Sequence, residues 1–165
     1  MMITVMCCHK TTMSRSAPDD APVDLFVELF LAGLDPGHVP LFFNEGLICY
    51  PACWDEMLAL AKNKKFAENN TVVLSVVADE KEQWLKAIEK MPDLKQAKVV
   101  FDQGARISQA YDMLTMPSAM HRGTAPGHTY VLIDKNGVIK YVFDDIRMGK
   151  NEDKLLNEIK KLNNY

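Results

Sequence analysis

The chain has 165 residues, of which 48% are hydrophobic and 25% are charged, and its formal net charge is -3. A chain of this length can bury a hydrophobic core as one domain, and its slight acidity argues against nucleic acid as a partner. No segment approaches the roughly 20 apolar residues of a membrane span, and the opening residues lack the apolar stretch of a secretory signal. We therefore expect a cytoplasmic protein that binds neither nucleic acid nor a membrane.

Residues 1–20 form a poorly patterned N-terminal segment, and we predict a single domain over residues 21–165. Cys7 and Cys8 are adjacent in the N-terminal segment, and we assign them no role. The four cysteines of this chain are too few for the framework of a disulfide-rich secreted domain.

Residues 21–39 fit two structures. Asp24 and Glu28 are separated by one helical turn in an apolar background, as on a helix that Gly33 would end. Apolar residues also recur at every second position from Val23 to Leu29, as they do in a strand. We favour the helix.

From residue 39 onward the apolar pattern predicts an alternation of strands and helices. Parallel strands joined by helices imply right-handed crossovers, and a hairpin adds an antiparallel edge. The sequence therefore predicts an α/β fold with a central mixed sheet and helices on both faces. The predicted strands are residues 39–44, 71–79 and 98–102 and a hairpin of 129–134 and 138–144 around an Asn-Gly turn, and the predicted helices are residues 54–66, 80–91, 105–114 and 152–162.

Apolar stripes in the predicted helices indicate which side chains face the core. In the first helix Trp54 and Met57 lie on the apolar face. Asp55 and Glu56 are expected to lie largely outside that face, in the first turn, where they suit the positive end of the helix dipole. In the second helix the predicted inner face consists of Trp84, Leu85, Ile88 and Met91.

The segment from Cys49 to Cys53, CYPAC, lies where the first predicted strand turns into the first helix. A cysteine attacks only as a thiolate, and the N–H groups and dipole of a helix N-terminus stabilise that anion. The carboxyl end of a parallel strand is also where open α/β sheets bind ligands. A helical turn would place both thiols on one face, and Pro51 suits such a turn and stiffens the loop. Redox chemistry is therefore our leading hypothesis.

Metal binding and simple packing are also possible roles for the cysteine pair. The thiols could bind a soft metal such as Cu(I) or Zn(II) in a non-catalytic module, or they could fill space in the core. The histidines are scattered, and no second cysteine pair with zinc spacing follows, which argues against a structural zinc site.

The strand "VPLFFN", the turn "EGLICYPACW" and the helix after it resemble the thioredoxin-fold redoxins. The segments "TVVLSVVADEKEQWLKAIEK" and "GHTYVLIDKNGVIKYVF" are similar to the peroxiredoxin-like branch, the alkyl hydroperoxide reductase and thiol-specific antioxidant (AhpC/TSA) family. The similarity runs from about Val39 to Leu162. It implies a thioredoxin-like, peroxiredoxin-type three-layer sandwich.

The resemblance also implies a thiol-dependent oxidoreductase that acts as an antioxidant or in thiol–disulfide exchange, without a cofactor. Cys49 would attack a peroxide or a protein disulfide, and Cys53 would resolve the product as an intramolecular disulfide. An external thiol reductant, a thioredoxin-like protein or a small thiol, would reset the pair, and a homodimer is compatible with this assignment. A degenerate redoxin that acts only as an interaction domain is an alternative on the same fold.

The sequence departs from the peroxiredoxin motif P-x-x-x-[TS]-x-x-C. Before Cys49 the motif's proline and hydroxyl positions hold Phe42 and Gly46, and before Cys53 they hold Gly46 and Tyr50. Neither cysteine is preceded by the Thr or Ser hydroxyl with which the family orients peroxide. Efficient peroxide reduction therefore does not follow from the resemblance.

Further residues would support this site. His128, at the start of the hairpin, would face the cysteine loop as an imidazolium that stabilises the thiolate or as a neutral ring that accepts its proton. A histidine that only caps the strand is the simpler alternative. Glu45 is a candidate proton shuttle or a solvated loop carboxylate, Trp54 a core residue that walls the site, and Pro51 the residue that stiffens the loop. The family's arginine before the hairpin strand is missing, although Arg122 is near in sequence, and Pro126 is the proline nearest to the position of the cis-proline of thioredoxins.

Overall fold

The computed structural model describes residues 36–164, which form a five-stranded mixed sheet in the order β3-β2-β1-β4-β5. Strands β1, β2 and β3 are parallel, whereas β4 is antiparallel to both β1 and β5. This arrangement confirms the predicted α/β class. The strands are β1 (His38–Phe43), β2 (Leu74–Val77), β3 (Val99–Phe101), β4 (Thr129–Asp134) and β5 (Ile139–Asp144).

Helices cover both faces of the sheet, as predicted. Short 3-10 turns connect several of them, and the turn at Gly46–Ile48 precedes the first helix. The helix predicted to end at Gly33 and the segment with Cys7 and Cys8 lie outside the described residues, whereas His38 and Val39 begin β1. The helices are α1 (Ala52–Lys62), α2 (Lys65–Glu68), α3 (Lys81–Lys90), α4 (Arg106–Ala110) and α5 (Glu152–Asn163).

Two predicted helices are shorter than expected because the backbone leaves helical geometry within each of them. Asn63 is extended, with ψ of 99°, and its side chain accepts the N–H of Lys65, so residues 54–66 divide into α1 and α2. The helix predicted over residues 105–114 ends at Ala110, and Asp112 takes a left-handed conformation.

The sheet separates two apolar layers, and β1 contributes to both of them. Phe42 packs with α1, α3 and α5 on one face, whereas Leu41 and Phe43 pack with Ile107 and Tyr111 near α4 on the other. All six residues of β1 are buried, because this strand is central and both of its faces are covered.

Two side-chain placements differ from prediction. Leu85 is 51% exposed, and α3 buries only Trp84 fully, whose ring packs against Phe101 of β3, the strand at one end of the sheet order. Glu56 is fully buried, because Cys53 and Leu60, one turn before and after it, also face the core. The predicted outward orientation of Glu56 is therefore wrong.

The hairpin forms as the Asn-Gly signal predicts. Asp134 accepts hydrogen bonds from the N–H groups of Asn136 and Val138, and Gly137 has φ of 74°. None of the described helices is long and apolar enough to cross a membrane.

Strand pairing positions the site. Phe43 at the end of β1 is paired with Thr129 at the beginning of β4. The cysteine turn that follows β1 and His128, which precedes β4, therefore lie at the same edge of the sheet.

Candidate active site

The turn from β1 to α1 is held by side chains at the ends of neighbouring strands. Asn44 accepts the N–H of Gly46 at 2.9 Å and donates to the carbonyl of Phe42 at 3.2 Å. Asp79, which follows β2, accepts the N–H of Leu47 at 3.0 Å. Gly46 has φ of 60°, and a Cβ there would overlap the carboxyl group of Asp79. Glycine is therefore required both by backbone conformation and by close packing.

Cys49 and Cys53 form a disulfide at the start of α1, and their Cα atoms are 5.4 Å apart. Cys53 is the second residue of the helix, and its N–H donates to the carbonyl of Cys49 at 3.0 Å. Both cysteines are buried, whereas Ile48 and Tyr50 on either side of Cys49 are 59% and 64% exposed. The disulfide therefore lies just below a surface that carries exposed apolar side chains.

His128 contacts the second cysteine: its Nδ1 atom lies 3.7 Å from the Sγ atom of Cys53. The histidine is fully buried, and its backbone N–H donates to the hydroxyl of Ser118 at 2.7 Å. Ser118 donates in turn to the carboxylate of Asp144, and the N–H of Asp145 donates to the carbonyl of His128 at 2.9 Å. Hydrogen bonds to both its backbone N–H and its carbonyl group therefore fix the position of His128.

Burial lowers the pKa of His128, although Asp145, the carbonyl of Gly149 and Asp144 act in the opposite direction. The ring is therefore neutral near pH 7. Of the two roles suggested by the sequence, this electrostatic environment favours a neutral ring that accepts a proton over an imidazolium that stabilises a thiolate.

Glu45 is 3% exposed, so the expectation of a solvated loop carboxylate is wrong. Its carboxylate accepts the N–H groups of Met120 and His121 at 2.7 and 2.9 Å, and it pairs with the His121 ring at 3.0 Å. Glu45 therefore joins the loop before β4 to the cysteine turn.

The remaining predicted residues take different positions around the turn. Trp54, a residue of α1, donates its indole N–H to the carbonyl of Gly46 at 3.1 Å and packs against the hydrophobic core. Pro51 is exposed and follows a cis peptide bond, whereas the bond before the buried Pro126 is trans. Arg122 is exposed, and its neighbour His121 is the residue that reaches Glu45. The structure thus gives Trp54 a bracing contact with the turn.

Three residues near the cysteines were not anticipated from the sequence. Glu56 and Tyr130 lie beneath the disulfide and share a hydrogen bond of 2.7 Å, and Ser118 anchors His128. The sequence pattern could have predicted that Glu56 faces the core, because it lies one helical turn after Cys53 and one before the buried Leu60. The pattern could also have predicted that Tyr130 lies near His128, since it follows His128 by two positions and extended chains place such residues on the same face.

The chain is similar to one protein family and to several solved structures. The family described as Redoxin matches residues 30–159. AhpC of Mycobacterium tuberculosis is similar in structure, with a TM-score of 0.65 and 22% identity over 78% of this chain and 71% of that chain. The mitochondrial 2-Cys peroxiredoxin of Plasmodium falciparum has a TM-score of 0.65 and 20% identity over 79% of this chain and 78% of that chain.

The reduced 2-Cys peroxiredoxin of Plasmodium vivax has a TM-score of 0.63 and 26% identity, over 79% of this chain and 68% of that chain. Comparison with curated protein sequences gave no match. The structural matches confirm the predicted thioredoxin-like fold of peroxiredoxin type.

Proposed function

The chain belongs to the redoxin family, and we propose that it is a thiol-dependent oxidoreductase that cycles the Cys49–Cys53 pair between dithiol and disulfide. Membership of this family supports thiol-dependent peroxidase or oxidoreductase chemistry in general. The observation on which the specific proposal rests is the disulfide at the start of α1, with a neutral histidine 3.7 Å from its second sulfur.

In this proposal Cys49 is the attacking residue. It precedes α1, so the N–H groups and dipole of the helix stabilise its thiolate, and its neighbours Ile48 and Tyr50 are exposed. Cys53 is 1% exposed and contacts His128, which suits a resolving residue that reacts only with a partner already bound to Cys49.

Either of two substrates closes the same cycle. With a peroxide, the Cys49 thiolate displaces an alcohol or water and becomes a sulfenic acid, which the Cys53 thiol condenses to a disulfide with loss of water. With a protein disulfide, the Cys49 thiolate bonds to one substrate sulfur and expels the other as a thiolate, which gives a mixed disulfide. The Cys53 thiolate then attacks the sulfur of Cys49 and expels the remaining substrate sulfur as a second thiolate. In both cases an external thiol reductant, protein or small molecule, restores the two thiols.

Two observations favour a protein disulfide as the substrate or partner. Gly46 and Tyr50 stand where peroxiredoxins place a Thr or Ser before the cysteine, so neither cysteine has the aliphatic hydroxyl of that motif. The exposed apolar side chains of Ile48 and Tyr50 beside Cys49 suit contact with another protein. Parallel assays of peroxide consumption and of insulin-disulfide reduction compare the two activities.

The metal-binding alternative has less support. Within residues 36–164 no group of three or more His, Cys, Asp or Glu side chains is arranged to hold a metal ion. The two thiols that this alternative requires as metal donors are joined to each other in the disulfide.

Thiol counting by mass spectrometry tests the proposal in a chain whose Cys7 and Cys8 are replaced by Ser. After oxidation, this chain should lose both thiols together and the mass of two hydrogen atoms. Cys53→Ser should accumulate an oxidised or mixed-disulfide form at Cys49, whereas Cys49→Ser should leave Cys53 largely unmodified. Rapid modification of Cys53 in Cys49→Ser, or no disulfide in the parent chain, would contradict the assignment.

A further inference from the structure

The loop between β5 and α5, residues 145–151, contacts His128 at two points. At the start of the loop, the N–H of Asp145 donates to the carbonyl of His128 at 2.9 Å. Four residues later, the carbonyl oxygen of Gly149 lies 3.2 Å from Nε2 of the same histidine. The loop therefore touches both the main chain of His128 and the ring nitrogen that is not the neighbour of Cys53.

The side chain of Asp145 organises this loop. Its Oδ2 atom accepts the backbone N–H of Gly149 at 2.8 Å and the side-chain amide of Asn151 at 2.9 Å, and its Oδ1 atom accepts the N–H of Arg147 at 3.0 Å. The amide of Asn151 also donates to the carbonyl of Gly149 at 2.9 Å. Met148 has φ of 51°, which is uncommon for a residue other than glycine. The carboxylate therefore holds a loop shape that the backbone alone would disfavour.

The carbonyl of Gly149 decides which nitrogen of His128 carries the hydrogen. A carbonyl oxygen can only accept a hydrogen bond, so Nε2 is the protonated nitrogen of the neutral ring. The other neighbour of Nε2, the hydroxyl of Tyr130 at 3.0 Å, can donate or accept and does not distinguish the two tautomers. With the hydrogen on Nε2, the lone pair of Nδ1 faces the Sγ atom of Cys53 at 3.7 Å.

The charge of Asp145 favours the same function of the ring. Although burial raises the pKa of Asp145, hydrogen bonds from the loop and the nearby His128 hold this pKa below its usual range. Burial lowers the pKa of His128, and Asp145 opposes that effect, as do the carbonyl of Gly149 and Asp144. A proton taken up by His128 would therefore lie near a carboxylate that stabilises it.

We propose that Asp145 is a positioning residue for disulfide closure. By fixing the carbonyl of Gly149, it keeps the hydrogen of His128 on Nε2. The Nδ1 atom is then free to accept the proton of the Cys53 thiol. This inference rests on the proposed function of the Cys49–Cys53 pair.

The step balances in protons and electrons. The Cys53 thiol gives its proton to Nδ1 of His128, and the ring becomes an imidazolium near Asp145. The Cys53 thiolate attacks the sulfur of Cys49, and the group bound to that sulfur leaves with the electron pair of the broken bond. The imidazolium then gives its proton to the departing group or to solvent, and the ring returns to its neutral form.

Asp145→Asn tests this role in a chain that retains only Cys49 and Cys53. The amide has the shape of the carboxylate, but it carries no charge, and one of its two acceptors becomes a donor that faces the donors of the loop. The carbonyl of Gly149 should therefore move away from Nε2. The hydroxyl of Tyr130 would remain as the partner of Nε2, and because it favours neither tautomer, both should be populated.

Two measurements compare the parent chain with the variant. Nitrogen-15 NMR of the oxidised protein distinguishes a hydrogen on Nε2 from one on Nδ1, and the signals lost in His128→Phe assign the ring. Dithiobis-nitrobenzoate, a chromogenic disulfide, oxidises the reduced pair in two stages, the attack by Cys49 and the closure by Cys53. Each stage releases one thionitrobenzoate anion, and stopped-flow absorbance gives both rates.

The ring of the parent chain should carry its hydrogen on Nε2, and Asp145→Asn should give a mixture of tautomers. Closure at neutral pH should be about ten-fold slower in the variant, while the first stage is unchanged.

Asp134→Asn is the matched control. Asp134 also accepts two backbone N–H groups of a turn, those of Asn136 and Val138, but it lies at the other end of β4 from His128. The control should lower the stability of the protein and leave both the tautomer and the closure rate at the parent values.

The outcomes separate this inference from the proposed function. If the parent chain reacts in two stages, a variant that changes neither readout, or only one of them, would overturn the role of Asp145 alone. A parent ring with its hydrogen on Nδ1 would do the same. A parent chain that releases no second anion would overturn the proposed function as well. Asn151→Ala removes the amide that joins Asp145 to the carbonyl of Gly149, and it provides the same test if Asp145→Asn does not fold.

Discussion

The Sγ atom of Cys53 lies 3.7 Å from Nδ1 of His128, although the two residues are 75 positions apart in the chain. The antiparallel pairing of β1 with β4 produces this contact, because one strand ends where the other begins. The imidazole therefore contacts the cysteine that we assign to resolution. A base at this position is useful when a buried thiol must lose its proton to close a disulfide.

His128→Phe should slow disulfide closure by about 100-fold at neutral pH, since it removes the nitrogen that accepts the Cys53 proton. The phenyl ring should keep the edge-on packing that His128 makes with Phe42, whose ring centroid is 4.6 Å away. Stopped-flow absorbance with the chromogenic disulfide dithiobis-nitrobenzoate measures this rate. One thionitrobenzoate anion is released when Cys49 attacks the reagent, and a second is released when Cys53 closes the disulfide. His38→Phe, at the opposite end of β1, is the control and should close at the parent rate. Equal rates for both variants would exclude His128 as the base.

Gly46→Ala should destabilise the protein by about 3 kcal/mol. About 1 kcal/mol comes from the left-handed backbone, and the rest comes from displacing the carboxyl group of Asp79 and its bond to the Leu47 N–H. Chemical denaturation measures the change. Gly104→Ala is the matched control, because Gly104 has φ of 70° with no atom within 4 Å of an added Cβ.

Gly104→Ala should therefore cost only about 1 kcal/mol. Introducing Asp79→Ala should lower the cost of Gly46→Ala toward that of the control, since the Cβ atom of Val77, at 3.2 Å, is then the remaining close neighbour. Equal costs for the two glycine substitutions in the parent chain would mean that Asp79 does not restrict the turn.

Glu56→Gln should become more stable relative to the parent chain as pH rises. Burial raises the pKa of Glu56 from 4.5 to about 7, so the folded protein binds a proton that the unfolded chain has already released between these values. The parent chain keeps the full contribution below 4.5 and loses about 3 kcal/mol as pH passes through 7, whereas Gln cannot titrate.

Denaturation curves of the oxidised protein at several pH values measure this difference. The gap in the free energy of unfolding between Glu56→Gln and the parent chain should widen between pH 4.5 and 7 and stay constant above it. Glu89→Gln, on the exposed side of α3, should give a gap that does not change. A constant gap for Glu56→Gln would show that Glu56 titrates alike in the folded and unfolded chain.

Glu45→Gln should loosen the loop before β4 from the cysteine turn. The carboxylate accepts three charge-assisted hydrogen bonds from Met120 and His121, and a neutral amide replaces them weakly. The expected loss of stability is about 2 kcal/mol. Hydrogen exchange at the Met120 and His121 amides should accelerate at least ten-fold, while the exposed control Glu68→Gln should leave both amides unaffected. Unchanged exchange would mean that other contacts hold the loop.

The sequence contained enough information for the fold and for part of the site. The apolar runs predicted the central strands, because β1 is covered on both faces and admits few polar residues. Strand order then placed the turn with Cys49 and Cys53 at the same sheet edge as His128. These predictions depend on local periodicity and topology, which a single sequence expresses well.

Side-chain burial was harder to predict for polar residues that lie in the protein interior. Glu56 fits the exposed first turn of a helix, and only its tertiary partners Tyr130 and Asn151 make its burial tolerable. Glu45 is similar, since its partners lie in a loop whose path no short-range pattern specifies. Leu85 is the opposite case, because its apolar side chain predicted burial and yet is 51% exposed, while its neighbour Trp84 is buried.

The central position of β1 has a consequence for how this scaffold tolerates change. Hydrogen bonds to β2 and β4 on its two sides fix the alignment of the strand independently of the segment that follows it. Insertions or deletions between Cys49 and Cys53 should therefore change the reactivity of the two cysteines and leave the strand order and register of the sheet unchanged.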